Sequence, residues 1–237
     1  MLRFSNVCYR DVLKGLQFEV AEGRTLVLLG RSGAGKTTAL KMVNALLMPT
    51  SGQVFVEGRA TTDWNPIDLR RRIGYVIQET GLFPHFTVAR NVGVVPRLNG
   101  WTPDRISARV NELLERVGLA PSEYAHRYPR ELSGGQRQRV GVARALAADP
   151  PILLFDEPFG ALDPVTRHEV RREFTALARD LGKTTLFVTH DVREAMELAD
   201  EIGLLHDGRL AELLPADEFP GARSEEARAF LACLRDD

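Results

Sequence analysis

The residues Gly30-Arg31-Ser32-Gly33-Ala34-Gly35-Lys36-Thr37-Thr38 follow the apolar run Leu26-Val27-Leu28-Leu29 and precede the helix-prone Ala39-Leu40-Lys41-Met42-Val43. This is the phosphate-binding loop pattern G-x-x-x-x-G-K-[ST], in the strand-to-helix setting that gives the pattern meaning. Glycines at Gly30, Gly33 and Gly35 let the backbone turn with positive φ and bring its N–H groups close to phosphate oxygens. The following helix adds the positive end of its dipole. Lys36 supplies a point charge for β- and γ-phosphates, and the hydroxyl of Thr37 is placed to ligate Mg²⁺. A glycine-rich turn that bound nothing would not need Lys-Thr at that offset.

Further chemistry sits at strand ends. Ile152-Leu153-Leu154-Phe155 is a fully apolar run that ends in Asp156-Glu157. Adjacent carboxylates at the carboxyl end of a buried strand are costly unless a cation or a reaction needs them. Asp156 suits a direct or outer Mg²⁺ role, and Glu157 can orient and deprotonate an attacking water. Gln78 closes the strand-like Ile73-Gly74-Tyr75-Val76-Ile77, and His190 closes Thr184-Thr185-Leu186-Phe187-Val188-Thr189. Each is a weak signal alone, and together with Asp156 they fall where α/β sheets bind ligands.

Leu132-Ser133-Gly134-Gly135-Gln136 opens a helix with a good N-cap and two glycines that leave the first N–H groups accessible, which makes a second anion site. Two such sites in one chain imply either two ligands or one ligand shared between two chains. Tyr9, just past the first strand, either stacks on a nucleotide base or is a half-buried strand-end tyrosine. The loop-like 79–88 carries Leu82, Phe83 and Phe86 beside Pro84 and His85, which form either a docking surface or a plug in the local core.

The elements that position these residues follow from pattern. Residues 2–7, 17–20, 24–29 and 54–57 read as strands separated by turns at Gly15, Glu22-Gly23 and Ser51-Gly52. From Pro103 the period turns helical, with Ile106, Val110, Leu113, Leu114 and Val117 on one face and Gly118 closing the helix. A helical subdomain over about 79–150 is therefore expected, inserted between sheet strands. A helix follows Asp163-Pro164 to about Leu181, two strands flank Asp207-Gly208, and a last helix spans roughly 224–234.

Lysine plus arginine (31) nearly balance aspartate plus glutamate (32), so no basic field argues for nucleic acid. Cys8 and Cys233 lie at opposite ends without metal-ligand spacing and read as free thiols in a reducing compartment. No apolar run approaches the ~18 residues of a membrane span, and the start shows strand-like alternation in place of a signal peptide. A soluble, cytoplasmic chain is expected, working at a membrane only through a partner.

Together these positions resemble the ATP-binding cassette ATPases of ABC transporters over nearly the whole chain. By position, Tyr9 matches the adenine-stacking aromatic, Gly30 to Thr38 the Walker A loop and Gln78 the Q-loop glutamine. Leu132 to Gln136 matches the LSGGQ signature, Ile152 to Asp156 Walker B, and Glu157 the catalytic glutamate. Ala161-Leu162-Asp163 matches the D-loop and His190 the switch histidine. So many short patterns in the right order do not arise by chance.

The resemblance implies an α/β P-loop NTPase core with an N-terminal antiparallel β-subdomain and an inserted helical subdomain. It implies ATP and Mg²⁺ as cofactors, with Thr37, Gln78 and Asp156 near the metal. Two cassettes would form a head-to-tail sandwich, so that Ser133, Gly134, Gly135, Gln136 and Asp163 serve a nucleotide held by the other chain. The region from Gln78 to Phe86 would take up the coupling helix of a membrane permease, with a separate solute-binding protein outside.

Within the family, Leu82-Phe83-Pro84-His85, Asn91-Val92, Val95-Pro96, Trp101 and Glu157-Pro158-Phe159-Gly160-Ala161-Leu162-Asp163-Pro164 look most like importers of glycine betaine, choline or carnitine. Import of another solute, an amino acid or polyamine, is the alternative. Larger members add a C-terminal pair of CBS domains, and the end at Asp237 predicts regulation without them. A DNA-repair or chromosome-organising ATPase would split the motifs with a long coiled coil, for which the interval from Gln78 to Ser133 is too short. A translation factor of this class would carry two phosphate loops, and a small-molecule kinase would have no use for the signature helix.

Overall fold

The structure is a computed structural model that describes residues 1–78, 81–160 and 162–234, apart from the side chains of residues 164, 168, 172 and 175–180. The chain forms two compact units, Met1–Arg70 with the segment from Gly182 onward, and Arg71–Leu181.

The first unit opens with β1 (Leu2–Tyr9), β2 (Leu13–Val20), β3 (Thr25–Leu29), α1 (Lys36–Val43), β4 (Ser51–Val56), β5 (Arg59–Ala60) and α2 (Pro66–Arg71). The expected antiparallel subdomain is a four-stranded sheet in the order β2-β1-β4-β5. Its register pairs Leu2 with Val20 and Val56, and Phe4 with Phe18 and Val54, which puts every second side chain into the core. The Phe4 and Phe18 rings stack with centroids 4.4 Å apart.

Three strands run longer than expected. β1 runs through Tyr9 and β2 starts at Leu13, so Gly15 lies inside a strand, as does Gly52 in β4. Both glycines have positive φ (75° and 76°), and the β1 pairings shift register around residues 4–9. A Cβ on Gly52 would meet the Asn6 carbonyl oxygen at 2.2 Å. These glycines serve bulges, where one extra residue re-aims the strand, and not turns.

The second unit contains β6 (Ile73–Val76), α3 (Val88–Val92), α4 (Val94–Leu98), α5 (Pro103–Arg116), α6 (Pro121–Tyr124), α7 (Gly134–Leu146), β7 (Ile152–Asp156) and α8 (Pro164–Leu181). β6 and β7 are parallel, with Ile73 opposite Ile152 and Val76 opposite Phe155. α5 buries Ile106, Val110, Leu113 and Leu114, the face that the periodicity predicts. α3 and α4 fall within the expected helical subdomain but are not individually predicted, because each is a single short turn, the two split by Gly93, and too brief to show a period.

The chain then returns to the first unit with β8 (Thr184–Thr189), α9 (Val192–Leu198), β9 (Glu201–His206), β10 (Arg209–Pro215) and α10 (Glu225–Ala232). β8 and β9 flank β3 in parallel, Leu29 pairing with both Thr189 and Leu204. Flanked on both sides, Leu26 to Leu29 are fully buried, which accounts for the unbroken apolar run. The last helix starts one residue later than expected because Ser224 is its N-cap, accepting from the Ala227 N–H, and it ends at Ala232. No helix among the described residues is long and apolar enough to cross a membrane.

The turn between β9 and β10 presses onto β2. Lys14 N–H donates to the Gly208 carbonyl at 2.8 Å, and a Cβ on Gly208, whose φ is +77°, would meet the Val12 carbonyl oxygen at 2.2 Å. Replacing Gly208 with alanine is expected to destabilise the protein by roughly 1–3 kcal/mol. Thermal denaturation checks this, and a melting temperature equal to that of the parent would contradict the close approach.

Candidate functional site

The loop from Gly30 to Gly35 is held by contact on both sides within the first unit. A Cβ on Gly30 would lie 2.4 Å from the carbonyl oxygen of Leu205 in β9, and one on Gly35 would lie 2.7 Å from Leu13 in β2. Gly33 and Gly35 adopt φ of 84° and 103°, and Gly35 is the residue before α1. Lys36 is buried, and its ammonium donates to the carbonyls of Gly30 at 2.8 Å and Arg31 at 3.0 Å. α1 begins at Lys36, directly after the glycine turn, so the N-terminal end of the helix and its positive dipole end lie next to the loop. A cation and a ring of N–H groups around a glycine turn make an anion cradle.

His190 lies beside this loop. Leu29 pairs with Thr189, so Gly30 and His190 leave neighbouring strands at the same level. The exit is pinned from below: the Thr189 hydroxyl donates to Glu194 and accepts from the Asp191 N–H at 3.0 Å, while Asp191 caps α9. His190 itself is exposed. Tyr9 is half-buried, with the Arg10 guanidinium 5.2 Å from its ring centroid, and it pairs with Leu13, the residue that Gly35 abuts. Tyr9, the loop and His190 are thus gathered in one unit.

The second unit gathers the carboxylates. The β6–β7 register puts Gln78, which is exposed, at the same strand ends as Asp156 and Glu157. Asp156 is buried and accepts from the Tyr75 hydroxyl at 3.3 Å. Burial first, and then the charge and hydrogen bond of Asp156, push the Tyr75 phenol well above its ordinary range, so it remains a donor. Glu157 has φ +44°, a left-handed conformation that a non-glycine residue holds only under constraint.

Ser133 caps α7, its hydroxyl accepting from the Gln136 N–H at 3.2 Å while the Gln136 side chain accepts from the Ser133 N–H at 2.9 Å. Gly134 is half-buried, but Gly135 is buried, and a Cβ there would meet Thr166 of α8 at 2.6 Å. Gly135 therefore serves helix packing, a reason beyond the accessible N–H groups read from sequence. Asp163 is exposed and caps α8; hydrogen bonds from the Thr166 hydroxyl and N–H hold its carboxyl below the usual range. Ala161, and Glu79 and Thr80 of the preceding loop, lie outside the described residues.

Sequence reasoning missed the side chains that brace these groups. Asn91 is fully buried: its amide donates to the carbonyls of Phe83, Phe86 and Thr87, and its oxygen accepts from the Phe83 N–H at 2.8 Å. One side chain thereby shapes the loop on which Phe83 is exposed while Leu82 and Phe86 are half-buried, so Phe83 does not plug a core. A cavity of about 370 Å³ lies beside Phe83, lined also by Tyr75, Ile77, Val94, Leu98 and Ala145. In the sequence Asn91 counted only as part of the Asn91-Val92 resemblance, which says nothing of its bracing role.

Residues 13–160 match the family model described as ABC transporter. The chain is 48% identical over 210 residues to the glycine betaine/carnitine/choline transport ATP-binding protein OpuCA of Bacillus subtilis, covering 89% of this chain and 55% of that protein. It is 49% identical over 215 residues to the osmoprotectant import ATP-binding protein OsmV of Salmonella typhimurium, covering 87% and 56%. The chain thus spans about half the length of these curated relatives. Among solved structures, the dimeric post-hydrolysis state of the ATP-binding cassette MJ0796 bound to ADP and Pi superposes with a TM-score of 0.81 at 32% identity, covering 91% of this chain and 99% of that one. By its sequence, its phosphate loop and its fold, the chain belongs to the ABC transporter family and has the architecture of that family's ATP-binding cassettes.

Proposed function

We propose that this chain is the ATP-hydrolysing subunit of a membrane importer for quaternary-amine osmoprotectants such as glycine betaine or choline. The observation that carries this reading is the phosphate loop, in which a buried lysine ammonium rests on two loop carbonyls at the N-terminus of α1. An ammonium so held can transfer to the β- and γ-phosphates with little reorganisation. The relatives' names support the solute class; the cassette itself does not touch the solute.

Tyr9 is assigned to the adenine, the loop from Gly30 to Thr38 to the phosphates, and Glu157 to the attacking water. His190 and Gln78 are assigned to the γ-phosphate. The Thr37 hydroxyl and the Asp156 carboxylate are hard oxygen donors of the kind Mg²⁺ takes, and Gln78 is a third candidate. Asp156 fits this role because Tyr75 holds it from one side as a buried carboxylate. Mg²⁺ held by these residues would supply positive charge against the charge that develops on the phosphates. Ser133, Gly134, Gly135, Gln136 and Asp163 are assigned to a nucleotide held by a second copy, in a dimer that closes on ATP and opens after hydrolysis. The loop from Leu82 to Phe86, with the apolar cavity beside Phe83, is assigned to the permease, which would hold the chain at the inner membrane face. A separate binding protein would deliver the solute.

Lys36→Ala is expected to lower nucleotide affinity and to cut ATP turnover by about 10²-fold or more. Glu157→Gln is expected to keep nucleotide binding while slowing hydrolysis by about 10²–10⁴-fold. Fluorescent-nucleotide titration with phosphate-release kinetics checks both: unchanged affinity in the first would sink the loop assignment, and wild-type turnover in the second the assignment of the base.

Phe83→Glu changes an exposed side chain, so the melting temperature and soluble ATPase should hold while uptake of radiolabelled glycine betaine in cells with the permease and binding protein is lost. Normal uptake would refute docking at this loop. Asn91→Leu leaves buried carbonyls unpaired and should lower the melting temperature, at about 1–3 kcal/mol for each group left without a partner.

A further inference from the structure

The phosphate loop is tied to a helix far along the sequence. Arg31 Nε donates to Glu226 Oε1 of α10 at 2.7 Å, across 195 positions of chain. The other Glu226 oxygen lies 3.5 Å from His206 Nδ1, at the end of β9 and next to the Leu205 carbonyl that Gly30 abuts. The Arg31 side chain is 68% exposed, whereas that of Glu226 is only 14% exposed, so the carboxylate is the fixed member of the pair.

Its mounting is firm. Glu212 of β10 accepts from the N–H groups of Arg223 and Ser224 at 2.9 and 3.1 Å and from the Ser224 hydroxyl at 2.8 Å. Burial raises the Glu212 pKa, but these donors outweigh it and hold the carboxyl below its ordinary range, so it stays charged. Ser224 then caps α10, and Ala227 is fully buried beneath the first turn.

Residues 31–33 of the phosphate loop, by contrast, are all exposed, and a Cβ on Gly33 would meet nothing within 4 Å. Packing does not fix this turn. Its Arg31 carbonyl nevertheless accepts from the Lys36 ammonium at 3.0 Å and from the Ala34 N–H at 3.2 Å. An exposed ion pair adds little to global stability. Its effect here is to hold the one residue of an unpacked turn whose carbonyl receives the lysine.

We propose that Glu226 is a positioning residue for nucleotide binding: through Arg31 it holds the exposed turn of the phosphate loop in the conformation that parks Lys36 and aims the loop N–H groups at a phosphate. The inference rests on the nucleotide reading of the loop. It adds the C-terminal helix α10 to the parts on which nucleotide affinity depends.

The test is titration with fluorescent ATP and ADP, KM and kcat for ATP, and melting temperature, on the full chain and its variants. Glu226→Ala and Arg31→Ala should each raise the nucleotide Kd and the KM by about threefold to fivefold, the upper part of what one exposed ion pair is worth. In Glu226→Ala the kcat should stay within about twofold, and the double variant should bind no worse than either single one, because the two residues act as one unit. Glu225→Ala, an exposed carboxylate on the same helix, should leave Kd unchanged. Wild-type affinity in Glu226→Ala, a lowered melting temperature without a change in Kd, or fully additive effects in the double variant would overturn the proposal. Failure of the unmodified chain to bind ATP would overturn the nucleotide reading instead.

Discussion

The first unit depends on the seating of a buried ammonium. Lys36 is 4% exposed, and an unpaired cation at that depth would be expensive, so its position is set by the carbonyls of Gly30 and Arg31 that receive it. Those carbonyls are in place because Gly30 has no Cβ and the loop can press to within contact of the Leu205 carbonyl. The strand that delivers the loop is fixed in turn by parallel neighbours on both sides, β8 and β9. A small displacement of β9 would therefore move the acceptors of Lys36. His190 shares this frame, since its strand is in register with β3 and its exit is held by the bond between Thr189 and Glu194.

In the second unit the same logic runs through buried polar side chains instead of a loop. Tyr75 and Asp156 are joined across two adjacent parallel strands, and the phenol must remain protonated for that bond to exist. Asn91 satisfies three carbonyls and one N–H of a single loop, so the exposed Phe83 is carried on a rigid support and not on a floppy segment. A fully satisfied buried amide specifies one conformation, because every alternative leaves some of these groups unpaired. Glu157 stands out against this background: its φ of +44° is unfavourable for a side chain of that size, and backbone strain of this kind gathers at sites where geometry matters more than stability.

Membership of the ABC transporter family explains why the motifs occur in this order, and the structure explains which part of each motif is held locally. The signature stretch is a case in point. Ser133 and Gln136 satisfy each other in a capping box, and Gly135 is demanded by Thr166 across the α7–α8 contact. Packing thus also favours glycine there, so its presence carries less information about ligand binding than the pattern suggests.

The sequence by itself determined whatever depends on neighbours a few positions away. The apolar run of β3, the glycine loop and lysine after it, the face of α5 with its proline at the first turn, and the caps at Ser133, Asp163 and Ser224 are local properties, decided by φ restrictions and by hydrogen bonds that span three or four residues. The tertiary structure alone decided whatever depends on a partner from another element. Gly15 and Gly52 read as turns, but the register of β1 with its neighbours makes them bulges, and the same register draws Tyr9 into the strand. The short α3 and α4 have no period of their own and exist because they pack, with Asn91 closing the loop before them. Tyr75 meets Asp156 across 81 positions and Arg31 meets Glu226 across 195. Separation in sequence sets no limit on such contacts, because a folded chain brings together whatever its register and packing place at one strand end, and no pattern within either segment encodes the other.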